Sequence, residues 1–318
     1  MYKDGFFAAN SITAANISKI SDKQSVTEEQ RICELSELAC DAADFAIALF
    51  EDGYGIYEIL SLIAEGVADS ENFIHSSSLK ENAERLSLYL HMVCAYDKIV
   101  FSELFSEKIK EHGIVLSEID FLPILKGDET FTYVKNPLAD EAYDVFSQDF
   151  SNPRLTYSKN LSDAAKSVAK GVYEYALLPL EERGGARLSA VATILFSEDL
   201  KINSVTPVFG FEGLADMKYA LVSKHFTVPE ICEDDDRYLE IRLRADSSIP
   251  LSELFLAADA LGCTVYRVNT ISFDTEDGAV PYYSVVFRNM GKDFTLLLVF
   301  LTFFSGAYTP IGIYKNLE

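Results

Sequence analysis

Positive charge is scarce in this sequence of 318 residues. It has 27 lysines and arginines against 50 aspartates and glutamates, so its formal net charge is -23 at pH 7. Nucleic acids and anionic membrane surfaces would repel such a chain, and we expect neither as a partner. Long apolar runs are missing too, because the longest, residues 294–304, is far too short to span a bilayer. The composition therefore argues against nucleic-acid-binding and membrane-spanning proteins.

Cysteine and histidine pairs of the kinds that bind metals are also missing. The five cysteines are widely spaced and form no CxxC motif, and none of the four histidines belongs to a spaced pair of ligands. We therefore expect no metal and no cofactor. An odd number of separate thiols fits a reduced, cytoplasmic protein, and the first residues lack the layout of a secretory signal.

The first third of the chain has helical periodicity. Thr27 and Gln30 resemble a capping box, and apolar residues then recur at steps of three and four up to Leu49. Two further apolar stripes follow within residues 56–67 and 79–104. This pattern predicts a loose arm (1–26) followed by an all-helical bundle (27–115).

Strands and helices alternate in the middle third, residues 128–228. Strand-like segments near 131–134, 155–157 and 175–180 are each followed by a helical segment, which predicts βαβ units and a parallel sheet. Two more strands are predicted at 201–209 and 218–222. Near the end of the strand 175–180, Pro179 interrupts the hydrogen-bonding pattern, and a charged turn with glycines follows. Ligands of parallel α/β sheets bind beyond the carboxyl ends of such strands. An ordinary surface loop with solvated charges is the alternative.

The last third, residues 237–318, starts with an alternating segment. Polar residues from Tyr238 to Arg244 alternate with apolar ones, which predicts a half-buried strand. Predicted helices at 251–261 and 294–304 and strands at 264–271, 282–289 and 308–314 complete the order βαββαβ. That order is typical of a ferredoxin-like layout, with an antiparallel sheet and both helices on one face. The overall prediction is an α+β protein of several domains.

Two short segments resemble a known family. Residues 176–183, Ala-Leu-Leu-Pro-Leu-Glu-Glu-Arg, resemble the Val-Leu-Pro-Ile-Glu-Asn-Ser motif of prephenate dehydratases, and residues 310–314, Pro-Ile-Gly-Ile-Tyr, are similar to the Leu-Gly-x-Tyr that closes their ACT domain. With a helical bundle in front, the chain resembles the bifunctional chorismate mutase-prephenate dehydratase proteins of phenylalanine biosynthesis. The resemblance implies an α/β lobe like half of a periplasmic binding protein, an ACT domain, and a homodimer.

The resemblance also implies roles for individual residues. Glu181 and Lys218 match catalytic positions, and Glu182, Arg183 and Arg187 match substrate-binding ones. In the helical bundle, Arg85 would bind substrate by the same resemblance.

Met217 stands where the family has a threonine that donates a proton, and a thioether cannot do so. Lys218 replaces an arginine, which keeps the charge but loses the bidentate fork. Family dehydratases also have a second lobe, for which only residues 210–215 are available here. We therefore expect one wall of the substrate cleft to be missing.

Three hypotheses follow from these residues. The first is a catalytically degenerate relative that acts as a dimeric binding or regulatory module. The second is an active chorismate mutase or prephenate dehydratase with a rearranged site. The third is an amino-acid sensor, in which Pro250, Leu251 and Asn269 occupy the places of the phenylalanine-binding motifs of the ACT domain. In each case the expected ligand is a small carboxylate or an amino acid.

Overall fold

The computed structural model of this chain describes residues 28–65, 93–122, 128–182, 185, 187–210, 214–227, 236–245, 249–275, 278–290, 293–304 and 308–315. The predicted arm, 1–26, lies outside them. Within these ranges the chain forms eight α-helices: α1 (Glu28–Glu51), α2 (Ile56–Glu65), α3 (Ala95–Glu111), α4 (Pro137–Phe146), α5 (Leu161–Ala169), α6 (Ser189–Ser197), α7 (Leu251–Ala260) and α8 (Thr295–Phe304). It also forms nine β-strands: β1 (Thr130–Tyr133), β2 (Arg154–Tyr157), β3 (Tyr175–Glu182), β4 (Lys201–Val208), β5 (Met217–Ser223), β6 (Asp236–Arg244), β7 (Thr264–Thr275), β8 (Gly278–Met290) and β9 (Tyr308–Lys315).

One mixed sheet contains these nine strands, in the order β2-β1-β3-β5-β4-β9-β6-β8-β7. β1 pairs in parallel with β2 and β3, as predicted, because α4 and α5 provide the crossovers that parallel neighbours need. β5 instead pairs antiparallel with both β3 and β4. The prediction of a parallel sheet is therefore wrong for β5, which runs opposite to both of its neighbours, whereas β4 has the same direction as β3. The connection between β4 and β5, residues 209–216, is too short for a parallel crossover.

β3 extends beyond the predicted strand 175–180. The strand continues to Glu182, and its register with β5 shifts between Pro179 and Glu181. A bulge of this kind accommodates a residue without an N–H group and bends the strand locally. Glu181 therefore belongs to the strand itself and not to the turn that follows it.

The C-terminal half has the predicted element order βαββαβ, from β6 to β9. Its strands pair antiparallel in the order β9-β6-β8-β7. β9 also pairs in parallel with β4, where Ile202 lies opposite Gly312, and this contact joins the two halves of the sheet. A Cβ atom on Gly312 would lie 2.8 Å from the Cβ of Ile202, so glycine is required for this close approach.

Helices cover both faces of the sheet. On one face, α1, α2 and α3 share a hydrophobic core with α7, α8 and the inward residues of β6 and β8. Phe303 of α8 makes edge-to-face contacts with Phe101 and Phe105 of α3, at centroid distances of 5.3 and 5.0 Å. α5 and α6 pack on the other face, against β3, β4 and Tyr238 of β6. The N-terminal helices and the C-terminal half thus have a common core.

β6 is buried on both faces, so the prediction of a half-buried strand is wrong. Tyr238 and Glu240, expected to face solvent, are as well buried as Leu239 and Ile241. The reason is long-range, because α6 and the residues just before it cover the polar face of β6. Burial of Glu240 has direct consequences for the candidate site.

A buried ion pair fixes the segment after α3 to the C-terminal half. Glu118 accepts hydrogen bonds from two nitrogens of Arg237, at 3.1 and 2.6 Å. It also accepts one from the backbone N–H of Phe294, next to the start of α8, at 2.7 Å. Both charged side chains are almost inaccessible, at 4 % for Glu118 and 0 % for Arg237. The pair therefore links three separate segments of the chain.

Candidate functional site

The candidate site lies at the end of β3, where the chain folds back on itself. Gly185 has a φ of +82°, in the left-handed region that favours glycine, and its N–H donates to the carbonyl of Glu182 at 3.0 Å. This turn returns the chain so that Arg187 forms an isolated antiparallel bridge with Glu181. The bulge in β3 and the turn together place both side chains over the sheet.

Glu181 is contacted by three cations. Its Oε1 accepts a hydrogen bond from Nη2 of Arg267, a residue of β7, and lies 3.6 Å from Nη2 of Arg187. Its Oε2 lies 4.0 Å from Nζ of Lys218, which is directly opposite in β5. Glu181 is only 3 % exposed. Its charge is therefore compensated inside the protein.

Arg187 also binds a second carboxylate. Its Nη2 lies 2.7 Å from Oε2 of Glu240, and the Ser284 hydroxyl donates to Oε1 of the same glutamate at 2.8 Å. Tyr314 donates to Oε2 at 3.4 Å. Burial alone would lower the pKa of Arg187, but Glu240, Tyr314 and Glu181 outweigh it and raise that pKa above its ordinary value. Arg187 is therefore firmly held as a cation.

We call Glu181, Arg187, Lys218, Glu240 and Arg267 the ion network. It contains three cations and two carboxylates, and its most buried pair, Arg187 and Glu240, has side-chain exposures of 5 % and 3 %. Lys218 is the most accessible member, at 33 %. The ion network links β3 and β5, from the middle third of the chain, to β6 and β7, from the C-terminal half.

The structure brings together three of the residues predicted from the sequence, Glu181, Arg187 and Lys218. Met217 is next to them at the start of β5 and is partly buried against the core that α4 covers. Glu182 is exposed. Two predicted residues, Arg183 and Arg85, lie outside the described residues.

Four residues of the site were not predicted from the sequence. Arg267 and Glu240 pair with the predicted residues Glu181 and Arg187, and Ser284 and Tyr314 donate hydrogen bonds to Glu240. One indication of the buried carboxylate was present in the sequence, namely Glu240 between the apolar residues Leu239 and Ile241. Alternation in a strand, however, normally places such a residue in solvent. Only the tertiary fold reveals that this face of β6 is covered.

The predicted amino-acid-binding residues are separated by the sheet. Pro250 is exposed at the N-terminus of α7, and Leu251 packs against the core on that face. Asn269 lies opposite Ser284, whose side chain is on the α6 face with Glu240. The Nδ2 atom of Asn269 is buried and has no hydrogen-bond partner among the described residues.

Two further features are not found in the described part of the chain. No group of three or more histidine, cysteine, aspartate or glutamate side chains there could hold a metal ion. None of the helices described is long and apolar enough to cross a membrane. Among the described residues, the ion network is the largest group of ion-paired side chains in the interior.

No protein-family model matches the sequence, and no curated protein matches it. Among solved structures, the fold is similar to prephenate dehydratase from Streptococcus mutans, at 12% identity and a TM-score of 0.47, over 59% of this chain and 99% of that one. It is also similar to prephenate dehydratase from Arthrobacter aurescens in complex with L-Phe (12% identity, TM-score 0.42, 58% and 89% covered). GqqA, described as a novel type of quorum quenching acylase, has 16% identity and a TM-score of 0.43, with 59% and 96% covered. These TM-scores are below 0.5, so the similarities carry no weight for function.

Proposed function

We propose that this chain is a non-catalytic relative of the prephenate dehydratases that acts as a binding or regulatory protein. The observation that supports the proposal most directly is the ion network. Glu181 and Arg187, the residues that the family resemblance implies for catalysis and substrate binding, are buried and already paired with Arg267 and Glu240. Their charges are therefore already used in ion pairs within the protein.

The chemistry of the site supports the same conclusion. A dehydratase acting on a dianion needs accessible cations to hold it, and Arg187 could turn to a substrate only by leaving Glu240 unpaired. Breaking a buried ion pair in this way costs about 3–5 kcal/mol. Lys218 is partly accessible, but Met217 beside it cannot donate a proton to a leaving hydroxyl group.

The test is a direct search for turnover. Purified full-length protein would be incubated separately with chorismate and with prephenate, and phenylpyruvate and prephenate would be measured by chromatography. We expect no product above the uncatalysed rate. Turnover in the ordinary enzyme range of about 1–1000 per second, lost in Lys218→Ala but kept in the exposed-lysine control Lys159→Ala, would support the active-enzyme hypothesis instead.

The proposal includes the finer assignments that the resemblance implies. In it, the βαββαβ half of the chain is an ACT-like unit, the N-terminal helices are a chorismate-mutase-like bundle, and the protein is a homodimer. Sedimentation velocity of the full chain should then give a species of twice the 35.4 kDa chain mass. A monomer at micromolar concentration would remove the dimer from the proposal.

A further inference from the structure

A second concave feature lies between α6 and the sheet, beside the ion network. We call it the α6 cleft. It is lined by Arg187, Ala192, Leu195, Phe196, Glu240, Arg242, Ile271, Phe273, Tyr282, Ser284 and Ile311. Its empty volume is about 340 Å³ with the open mouth included, whereas the part wide enough for a water molecule is about 20 Å³. The enclosed part of the cleft is therefore about the size of one water molecule, so a larger ligand would lie in its open mouth.

The deep end of the α6 cleft is electrically balanced. Arg187 and Glu240 form their ion pair there, and Ser284 donates to the same carboxylate. These groups satisfy one another and add no net charge to the cleft. A ligand's charge would have to be met by another residue.

Arg242 supplies an uncompensated positive charge. Its guanidinium carbon lies 4.2 Å from the ring centroid of Phe196 and 5.8 Å from that of Tyr282. Among the described residues it makes no hydrogen bond or ion pair, and Asp199, whose charge acts on it from a distance, is bonded to Lys201 at 2.7 Å. Burial lowers the pKa of Arg242 and outweighs the opposing effects of Asp199 and Tyr282. In a chain of net charge -23, such a half-buried cation is an open position for an anion.

The walls beside Arg242 are aromatic and aliphatic. Phe196 stacks on Phe273 with a centroid distance of 3.8 Å and an interplanar angle of 16°. Tyr282 lies 5.5 Å from Phe196 and 5.6 Å from Phe273. Ile271 continues this apolar surface along β7. A cation beside a flat apolar wall matches a ligand with one acidic end and one planar apolar end.

We propose that the α6 cleft binds a small monocarboxylate with a flat apolar portion. The carboxylate pairs with the planar fork of Arg242, which presents two parallel N–H donors, and the apolar portion lies against Tyr282 and Ile271. This inference deepens the proposed binding role by naming a ligand class and therefore rests on it. The contacts proposed for the ligand, with Arg242, Tyr282 and Ile271, lie outside the ion network, although Arg187 and Glu240 line the same cleft, so binding is tested separately from turnover.

The test measures binding of sodium benzoate by isothermal titration calorimetry, with benzamide and acetate as comparison probes. We expect saturable binding of benzoate to the wild-type chain, and binding at least about tenfold weaker for benzamide, for acetate and for Arg242→Gln. Arg154→Gln removes the same charge from an exposed residue of β2 and should bind benzoate like the wild type. Circular dichroism of both variants verifies that they are folded.

Arg242→Lys provides a second variant if Arg242→Gln does not fold. It keeps the charge but loses the planar fork, and we expect binding several-fold weaker than in the wild type. The inference is overturned if wild-type protein shows no saturable benzoate binding up to about 10 mM, if benzamide binds as tightly as benzoate, or if the Arg242 variants bind like the wild type. Enzymatic turnover without any of these results would overturn the proposed function alone.

Discussion

Replacing Arg187 with methionine is the sharpest perturbation of the ion network. The substitution removes the guanidinium that lies 2.7 Å from Glu240 and 3.6 Å from Glu181, and it leaves an unbranched apolar side chain in place of the aliphatic stem of arginine. Both glutamates are buried, so neither can be fully hydrated in the variant. The two carboxylates are affected unequally. Glu181 keeps Arg267 and Lys218 as cationic partners, whereas Glu240 keeps, among the described residues, the hydroxyl donors of Ser284 and Tyr314.

The expected cost follows from what Glu240 retains. Leaving one partner of a buried ion pair uncompensated costs about 3–5 kcal/mol. The hydrogen bonds from Ser284 and Tyr314 remain, so we expect the lower end, about 3 kcal/mol. A domain is stable by only about 5–15 kcal/mol, so the loss is easily measured. With a urea m-value of about 3 kcal/mol/M, the unfolding midpoint should fall by about 1 M.

A double variant separates pairing from packing. In Arg187→Met with Glu240→Met, no buried carboxylate is left without a cation at this place, so part of the stability should return. Recovery should be incomplete, because Ser284 and Tyr314 then lose their acceptor, at about 1–3 kcal/mol for each buried unsatisfied group. Urea unfolding followed by circular dichroism measures all variants, and Arg154→Met, at an exposed position, serves as the control.

Two results would refute this reasoning. A loss below about 1 kcal/mol for Arg187→Met would be the size expected of an exposed pair, and the burial argument would fail. Strict additivity of the two single substitutions in the double variant would show that Arg187 and Glu240 are energetically independent. Either result would also remove the main support for the proposed loss of catalysis.

Three further predictions concern the rest of the fold. Gly312→Ala should overpack the contact between β4 and β9, because the new Cβ would lie too close to Ile202. We expect a loss of about 1–3 kcal/mol in the free energy of unfolding and a lower thermal midpoint, and an unchanged midpoint would contradict this. Glu118→Gln should destabilise the chain by about 3–5 kcal/mol in urea unfolding, because it breaks the buried ion pair between Glu118 and Arg237, and a neutral effect would show that the pair is dispensable. Burial and then Glu240 raise the pKa of Tyr314, so this residue stays protonated in the folded chain above its ordinary pKa of about 10 but ionises there when unfolded. Stability should therefore be complete below about pH 10 and fall as the pH rises, which tyrosinate absorbance can follow without interference because the sequence has no tryptophan; full ionisation of the tyrosines before unfolding would contradict it.

Local patterns were sufficient to predict most of the elements. The strand predicted at 201–209 is observed as Lys201–Val208, and the strand predicted at 218–222 as Met217–Ser223. The helix predicted at 251–261 is observed as Leu251–Ala260. These predictions succeed because the period of apolar residues and the positions of breakers depend on a few neighbouring residues. Parallel pairing of β1 with its neighbours was predictable for the same reason, since it follows from the intervening helices.

Assembly of these elements was not predictable from local patterns. The contact that joins the two halves of the sheet pairs β4 with β9 through Ile202 and Gly312. No periodicity in either segment distinguishes a strand that meets such a partner from an edge strand. The covered face of β6 was missed because the residues that cover it, including Arg187, precede it by about fifty positions. Burial of a strand face depends on what packs there, and alternation alone cannot show it.

Glu181 shows why a motif can identify a position and still leave its chemistry open. The resemblance that picks out Glu181 extends over eight consecutive residues, whereas Arg267, which donates to its carboxylate, is 86 positions away. The negative charge of Glu181 is compensated by the cations around it, and two of them, Arg187 and Arg267, are held in ion pairs inside the fold. A local motif and its long-range neighbours thus favour opposite functions here. Breaking a buried ion pair costs more than an exposed contact contributes. The long-range neighbours of Glu181 therefore outweigh the local motif, and they favour a structural role for this residue.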